Sequence, residues 1–407
     1  MEPNRIVVIG GGFAGLRTAV ELDKRRARLK DHSITLVDPS LEHTCLSLLY
    51  EVSTGRLRDE SSLCDEELRR GSSISFDQCS KPGRRERFSF RRASVINIDQ
   101  EDKNVILSDG SRLPYDDLVI AIGSEVATRG ILGVSEHAIP MRTFEDALQI
   151  RENLSLLLAS GKKSSIVIVG GGPVGVEIAA SIAERFRGAA EVSLLEAGDS
   201  ILPAYSSKTR GAVRRRLTRL GVRVRTRVTV KEVRSGSVVL ADSANVSDVS
   251  ADLVVWAAGI KAHSVVGEWG LPVNDQGLIK IDRSFSVQGL KNVYALGDCA
   301  SLVHPRTNVR VPSLAQAASR EAGFVAENIA RHLERKALTM WNPPEKWFTI
   351  VPLGNAYAIM DLVRFRLCGR LPLMILKMVR LSYFLAILSP RLAWDQWVAG
   401  RYAFRQR

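Results

Sequence analysis

Residues 5–38 read RIVVIGGGFAGLRTAVELDKRRARLKDHSITLVD, and this stretch decides the fold. The apolar run before the glycines is typical of a buried strand in a parallel sheet. Gly10, Gly12 and Gly15 then form the pattern G-x-G-x-x-G, and apolar residues at helical spacing follow them. A second apolar run ends at Asp38. A strand, a glycine turn, a helix, a strand and an acid in this order form the dinucleotide-binding fingerprint in its required context.

Each residue of this turn has a physical role. Gly10 permits the tight turn, Gly12 lets the backbone approach a pyrophosphate, and Gly15 lets the helix pack closely against the strand. The N-terminus of the helix offers unpaired N–H groups and the positive end of its dipole to phosphates. Asp38 can accept hydrogen bonds from a ribose diol. We therefore expect a dinucleotide on this stretch, the alternative being a glycine-rich turn of another α/β fold.

The same pattern returns later in the chain. Residues 165–169 form an apolar run, Gly170, Gly172 and Gly175 repeat the glycine pattern, and the next predicted strand ends at Glu196. Two dinucleotide folds in one chain imply two dinucleotides, and hence an electron donor and an electron acceptor. A carboxylate at position 196 binds a ribose 2′-hydroxyl and repels a 2′-phosphate, which favours NADH over NADPH.

Three more predicted strands end at glycines. The apolar runs before Gly123 and Gly259 resemble one another, and each glycine lets the backbone lie against a flat ligand or a crossing chain. A third strand runs into Gly297 and Asp298, where the carboxylate can hold a ribityl chain. The helix predicted over 311–333 begins beside this strand, so we expect it to abut the first nucleotide site.

Composition limits the class of protein. The 407 residues are 45% hydrophobic and 25% charged, which is ordinary for a globular chain of two or three domains. The five cysteines form no C-x-x-C, zinc-type spacing or close pair, which indicates a reducing compartment and excludes thioredoxin-type reductases. We expect no metal site. We also expect no signal peptide, because the first strand begins almost at Met1.

The net charge of +13 lies mostly in residues 331–407. A basic tail of this kind suggests an anionic membrane surface or a nucleic acid. The arginine-rich stretch 208–227 has no interleaved aromatic residues that could stack on bases, so we expect no nucleic-acid partner.

Residues 371–388 read LPLMILKMVRLSYFLAIL, in which Lys377 and Arg380 are the charged residues. The stretch is marginally long enough to cross a bilayer, but two central cations would each cost roughly 2.5–3.5 kcal/mol there. We expect a helix that lies flat in the interface, with both cations extended to the headgroups. A buried core helix or a dimer helix is the alternative.

Taken together, these motifs resemble the two-dinucleotide-binding-domain flavoproteins of the pyridine nucleotide-disulfide reductase type. Within them the chain is most similar to type II NADH:quinone oxidoreductases, also called alternative NADH dehydrogenases. The stretch LLYEVSTG after Asp38, the Ala-Gln helix and the basic tail narrow the resemblance to that family. The segments that match in order are RIVVIGGGFAGL, ITLVD, YDDLVIAIGS, IVIVGGGPVGVEIA, LLEAGDSILP, VVWAAGI and VYALGDCA.

The resemblance implies an α/β fold with two Rossmann-like domains, one for FAD and one for NAD, and a C-terminal membrane-associating region. The implied boundaries are 1–125 for the first part of the FAD-binding domain, 126–275 for the NAD(H)-binding domain, 276–333 for the second part of the FAD-binding domain and 334–407 for a membrane-anchoring amphipathic region.

The resemblance also assigns the binding residues. FAD is expected on Gly10, Gly12, Phe13, Ala14, Gly15, Asp38, Gly123, Gly297, Asp298, Gln316 and Ala317. NADH is expected on Gly170, Gly172, Pro173, Val174, Gly175, Glu177, Glu196 and Gly259.

Two residues are candidates for catalysis. Glu177 is placed to approach the nicotinamide, although an acid in the first turns of a helix is also favoured by the helix dipole. Gln316 can orient a quinone carbonyl, with helix capping or packing as its alternative role. The chain departs from the family at Arg320, where the pattern has Gln or Glu, and next to His43, where Thr44 and Cys45 are unusual.

The activity implied by the resemblance is hydride transfer from NADH to N5 of FAD, then two-electron reduction of a membrane quinone without proton pumping. Such a protein would be peripheral, on the cytoplasmic face or an organelle's inner membrane surface, and tails of this kind often pair to form a homodimer. The alternatives are a sulfide:quinone or other quinone reductase of the same fold, which for sulfide needs two cysteines at the flavin, and a non-enzymatic flavoprotein of the apoptosis-inducing type.

Overall fold

Two parallel five-stranded sheets organise the computed structural model, which describes residues 4–29, 32–55, 65–81, 87–242, 245–362 and 365–403. The strands in chain order are β1 (Arg5–Ile9), β2 (Ser33–Asp38), β3 (Glu42–Thr44), β4 (Ser73–Ser75), β5 (Ser89–Arg92), β6 (Val95–Asp99), β7 (Asn104–Leu107), β8 (Arg112–Pro114), β9 (Asp117–Ile120), β10 (Ser124–Val126), β11 (Ile139–Pro140), β12 (Ser164–Val169), β13 (Ala190–Glu196), β14 (Arg223–Thr226), β15 (Thr229–Arg234), β16 (Ser237–Ala241), β17 (Val246–Ser250), β18 (Leu253–Trp256), β19 (Ile260–Ala262), β20 (Ile279–Lys280), β21 (Val293–Ala295), β22 (Ala300–Ser301), β23 (Thr349–Pro352), β24 (Ala358–Asp361) and β25 (Arg366–Gly369).

Helices cover the faces of these sheets and form the C-terminal end of the chain. In chain order they are α1 (Phe13–Lys24), α2 (Arg26–Leu29), α3 (Leu49–Thr54), α4 (Asp65–Ser72), α5 (Phe76–Ser80), α6 (Val134–His137), α7 (Phe144–Ala159), α8 (Pro173–Arg185), α9 (Ser207–Arg219), α10 (Val265–Glu268), α11 (Ala315–Leu333), α12 (Arg370–Ile387) and α13 (Pro390–Ala403).

The two large sheets have equivalent topologies. The first has the order β21-β9-β1-β2-β5, and the second has the order β11-β18-β12-β13-β14. All ladders within both sheets are parallel, with Ile9 opposite both Val37 and Ile120 in the first. The central strands are buried on both faces, which explains why they read as continuous apolar runs. The prediction of two Rossmann-like folds is confirmed.

The chain passes between the two sheets twice, and the two connections lie side by side. β10 leaves the first sheet and β19 returns from the second, and they pair antiparallel with Ser124 opposite Ala262. After the return, Val266 and Trp269 already pack in the apolar core around the first sheet, which β21 and α11 then complete. The first half of the molecule is therefore built from two separate segments of the chain.

The C-terminal region packs on both halves. The antiparallel sheet β23–β25 contributes Val351, Leu353 and Ile359 to the core around the second sheet. Helix α12 contributes Phe384 and Ile387 to the core around the first sheet. The helix predicted over 371–388 is confirmed, and no helix within the described ranges is long and apolar enough to cross a membrane.

The glycine turns set how closely each helix approaches its strand. A Cβ atom at Gly15 would lie 1.8 Å from the Gly10 carbonyl oxygen, and one at Gly175 would lie 1.9 Å from the Gly170 carbonyl oxygen. By contrast, a Cβ atom at Gly12 would meet no atom within 4 Å. Gly15 and Gly175 are therefore constrained by packing within the fold, whereas the position of a side chain at Gly12 is open space.

We therefore expect Gly15→Ala to lower the free energy of unfolding by about 3 kcal/mol, because the added methyl group collides with backbone that cannot move aside. Gly12→Ala is the matched control, and the free energy of unfolding of its apoprotein should stay close to that of the wild-type apoprotein, since no bound ligand then contributes. Urea unfolding followed by circular dichroism measures both values. Equal stabilities for the two variants would contradict this account of the turn.

Candidate functional site

The first glycine turn is held by the carboxylate of Asp38. Its Oδ2 accepts a hydrogen bond from the Gly11 N–H at 2.5 Å, and its Oδ1 accepts one from the Ser40 N–H at 2.7 Å. Burial raises the pKa of Asp38, although these two donors act in the opposite direction. The predicted acid therefore lies beside the turn, at the carboxyl end of its strand.

The second turn repeats this arrangement with a longer acid. Glu196 Oε2 accepts a hydrogen bond from the Gly171 N–H at 2.7 Å, and Oε1 accepts one from the Gly198 N–H at 2.7 Å. Gly170 has φ +112°, and Gly10 in the first turn has φ +97°. Since L side chains rarely adopt this conformation, glycine is required at both positions. Gly259, with φ +114°, lies just past the end of the neighbouring strand β18.

Both helices that follow the turns begin without a side-chain cap. Gly12 and Gly172 are the N-cap residues of α1 and α8, and neither helix has a side-chain hydrogen bond at this end. A Cβ atom at either glycine would meet nothing within 4 Å. Uncapped N–H groups that face open space suit a diphosphate at each turn. The predicted binding residues that begin these helices are Phe13, Ala14, Pro173 and Val174.

Asp298 lies where three separate segments meet. Its Oδ2 accepts a hydrogen bond from the Ser124 hydroxyl at 3.0 Å, and the Arg142 guanidinium lies 4.0 Å away. Gly297, with φ +75°, brings the backbone so close to α1 that a Cβ atom would be 3.1 Å from Cβ of Ala14. A cavity beside them is lined by Gly297, Asp298, Arg310, Leu314, Ala317 and Glu321.

Glu321 of α11 holds the segment that contains Gly297 and Asp298. It is not among the binding residues predicted from the sequence. Its Oε2 accepts a hydrogen bond from the Gly297 N–H at 2.8 Å. Its side chain is buried, and burial raises its pKa to about 7, against the opposing effect of that N–H donor. Its place one turn below Ala317 on α11 was the available signal in the sequence.

Glu177 lies in a cluster of charges that the C-terminal helix completes. Arg380 of α12 turns inward, with Nη1 2.5 Å from Glu51 Oε1 and Nη2 2.9 Å from the Ser47 carbonyl oxygen. The Tyr50 hydroxyl donates to Glu51 Oε1 at 2.9 Å. Burial raises the pKa of Glu177 to about 8, Arg380 lowers it and Glu51 raises it. The interpretation of Arg380 as a headgroup contact is therefore wrong, because a carboxylate inside the protein pairs with it.

His43 joins the first turn to the C-terminal helix. Its Nδ1 lies 3.0 Å from the Gly11 carbonyl oxygen, and its Nε2 lies 2.9 Å from the Tyr383 hydroxyl. A carbonyl can only accept, so Nδ1 carries the hydrogen and Nε2 accepts from Tyr383. Burial lowers the pKa of His43 to about 4, which keeps the ring neutral. The Phe13 ring stands edge-on to it, with centroids 4.8 Å apart.

The start of α11 contacts the C-terminal segment. The Gln316 amide donates to the Phe348 carbonyl oxygen at 3.0 Å, so the residue is partly engaged in packing. The guanidinium carbon of Arg320 lies 5.4 Å from the centroid of the Trp347 ring. The departure from the family pattern at Arg320 is thus accommodated by a cation–π contact.

The described cysteines offer no reactive pair. Cys45, Cys79 and Cys299 are buried with free thiols, and Cys368 is exposed on β25. Burial raises the pKa of each of the three buried thiols to about 12. Thiols in this state are poor nucleophiles. The described residues contain no group of three or more His, Cys, Asp or Glu side chains that could hold a metal ion.

Glu321 makes stability depend on pH. Its pKa is about 7 in the folded protein and near 4.5 when unfolded, so between these values the folded state binds more protons. Stability should therefore fall as the pH rises from about 4.5 to about 7. Glu321→Gln should reduce this fall by on the order of 2 kcal/mol in urea unfolding measured across that range.

Glu327→Gln, on the same helix, is the control for this prediction. Hydrogen bonds from Arg28 lower the pKa of Glu327, so its removal should leave the fall between these pH values in place. If Glu321→Gln and the wild type lose the same stability over the range, the carboxyl group is not protonated as we expect.

The chain is similar to named oxidoreductases over most of its length. It is 29% identical to the Type II NADH:quinone oxidoreductase of Haemophilus influenzae, across 87% of this chain and 86% of that protein. It is also 29% identical to the demethylphylloquinone reductase NdbB of Synechocystis, across 93% of this chain and 92% of that protein.

The fold is also shared with solved structures. The structure of NDH2 from Plasmodium falciparum in complex with NADH superposes with a TM-score of 0.82 at 20% identity, covering 99% of both chains. The sulfide:quinone oxidoreductase from Aquifex aeolicus superposes with a TM-score of 0.78 at 19% identity, covering 97% of this chain and 92% of that one. Residues 4–322 match the family described as Pyridine nucleotide-disulphide oxidoreductase. With more than half of its length matched and both glycine turns in place, the chain belongs to the pyridine nucleotide-disulphide oxidoreductase family.

Proposed function

We propose that this protein is an FAD-dependent NADH:quinone oxidoreductase that does not pump protons. The observation that carries the proposal is the pair of equivalent glycine turns in one chain, each with its acid and an uncapped helix N-terminus. The relative from Haemophilus influenzae, named for this activity, is similar over nearly the whole length.

The first turn is proposed to hold FAD. Asp38 lies where it can bind the ribose, the N-terminus of α1 faces the diphosphate, and Asp298 receives the ribityl chain. The other residues proposed to surround the flavin ring are Gly123, Gln316 and Ala317. FAD, when bound, supplies the two-electron chemistry between a nicotinamide and a quinone.

The second turn is proposed to hold NADH, with Glu196 at the adenosine ribose and the N-terminus of α8 at the diphosphate. Glu177 lies one turn further along α8, where its half-buried carboxyl group faces the nicotinamide end. Because its pKa is raised to about 8, this carboxyl group is largely protonated at neutral pH. Burial is the main cause of this raised pKa, which Arg380 lowers and Glu51 raises further.

The quinone is proposed to reach the ring between α11 and α12. Gln316 stands at the start of α11, and its side-chain amide can donate to a quinone carbonyl oxygen in place of the Phe348 carbonyl oxygen that it contacts here. The cysteines described above do not favour sulfide as the electron donor.

The outer face of α12 is proposed to dock on the anionic surface of a membrane, on the cytoplasmic face or an organelle's inner membrane surface. Met374 is 63% exposed and Met378 55% exposed, and helical spacing places the exposed Leu371 and Leu385 on the same face. Arg370 flanks this apolar face. Exposed apolar side chains beside cations are typical of a helix at a membrane interface. The same face would also serve a homodimer.

Stopped-flow spectroscopy under anaerobic conditions tests the electron transfer. NADH should bleach the flavin absorbance of the holoenzyme, and a quinone should restore it, because the donor and the acceptor use the same ring. Gly12→Ala should fold but retain less FAD, since the added methyl group enters the space proposed for the diphosphate. If NADH leaves the flavin oxidised, the proposed function is wrong.

Membrane docking is tested by co-sedimentation with vesicles that contain phosphatidylglycerol. Met374→Ser combined with Met378→Ser should weaken binding about tenfold or more, because two exposed apolar side chains no longer enter the interface. Leu132→Ser combined with Leu156→Ser, at exposed sites away from α12, should bind like the wild type. Equal binding of both double variants would show that another surface docks, and a change of oligomeric state would point to the homodimer instead.

A further inference from the structure

Arg227 forms an ion pair close to Glu196, the acid of the second turn, although the two residues are far apart in the sequence. Arg227 Nε is 2.6 Å from Asp199 Oδ1, and the two side chains are 76% and 80% exposed. Asp199 follows Glu196 by three positions, in the loop that leaves β13. The pair therefore stands at the mouth of the proposed NADH site.

Strand pairing explains how Arg227 reaches this place. β14 runs parallel to β13, and Thr226 at its end is opposite Glu196. Arg227 then adopts φ +59°, and its N–H donates to the Gly198 carbonyl oxygen at 3.0 Å. Its guanidinium group thus emerges at the same sheet edge as the Glu196 carboxylate. A second arginine, Arg210 of α9, donates to the Ser200 hydroxyl at 2.8 Å in the same loop.

The chemistry of this edge matters for the adenosine ribose. A carboxylate such as Glu196 suits a free 2′-hydroxyl, whereas a 2′-phosphate is bound by arginine. Both Glu196 oxygens already accept backbone N–H groups, so the acid stays fixed in place. Rejection of a 2′-phosphate therefore also depends on whether the neighbouring arginines are available to bind it.

We propose that Asp199 is a second determinant of the preference for NADH over NADPH, because its carboxylate holds the Arg227 guanidinium that a 2′-phosphate would otherwise recruit. This inference rests on the assignment of NADH to the second turn. Asp199 also adds a negative charge that repels the phosphate directly. When Asp199 is neutral, the Arg227 guanidinium loses this partner and can turn toward a phosphate.

The test is steady-state kinetics of the FAD-loaded enzyme with NADH and with NADPH. Asp199→Asn should raise kcat/KM for NADPH about tenfold relative to kcat/KM for NADH. The substitution removes the negative charge of Asp199 near the phosphate and releases the positively charged Arg227 from its ion pair. The gain should shrink as ionic strength rises. In the Arg227→Gln background, Asp199→Asn should give a much smaller gain.

Asp109→Asn is the matched control, because Asp109 is also an exposed carboxylate paired with an arginine, Arg91, but lies in the turn between β7 and β8. It should leave the ratio of the two kcat/KM values as in the wild type. A readout independent of turnover is the calorimetric affinity for adenosine 2′,5′-bisphosphate compared with ADP. Asp199→Asn should tighten the first and leave the second nearly unchanged.

The outcomes separate this inference from the proposed function. If the enzyme oxidises NADH but Asp199→Asn keeps the wild-type ratio of the two kcat/KM values, only the role of Asp199 is overturned. An equal gain with and without Arg227 overturns the role of the arginine and leaves only charge repulsion. If neither NADH nor NADPH reduces the flavin, the assignment of the second turn fails first.

Discussion

A hydrogen bond between a carboxylate and the backbone of a glycine turn organises each half of the molecule. Asp38 accepts from Gly11 and Glu196 from Gly171, and each bond fixes the end of one strand against the start of the neighbouring helix. The turn is thereby oriented so that the remaining N–H groups face open space instead of the acid. Two sites with one geometry follow, and the difference between them is made by the residues that surround them.

Much of this could be predicted from the sequence because the signals are local. The glycine turns, their helices and acids, and the helix at 370–387 follow from spacing and apolar periodicity. The inward Arg380, the Arg320 contact with Trp347 and the Asp199–Arg227 pair could not be predicted, because each joins residues that only the tertiary fold brings together. A cation in an apolar helix suits a headgroup or a buried carboxylate equally well, and periodicity does not distinguish the two.

The C-terminal region is an integral part of the fold, because it contacts the helices of both halves. Asn355, in the turn between β23 and β24, donates to Glu184 of α8, while Tyr383 of α12 contacts His43 beside the first turn. Arg380 lies between these contacts and influences Glu177. The helix that presents an apolar face outward therefore presents, on its inner face, groups that position both proposed nucleotide sites.

The paired connections β10 and β19 have a consequence for the order of folding during synthesis. All strands of the second sheet lie between Ile139 and Trp256, so the chain can complete this sheet as soon as that segment has emerged. The first sheet must wait for β21, whose Val293 pairs with Leu118. Until then the edge of β9 has no partner, and such edges are prone to mispairing. The first sheet, which contains the first strand of the chain, is thus the later of the two sheets to be completed.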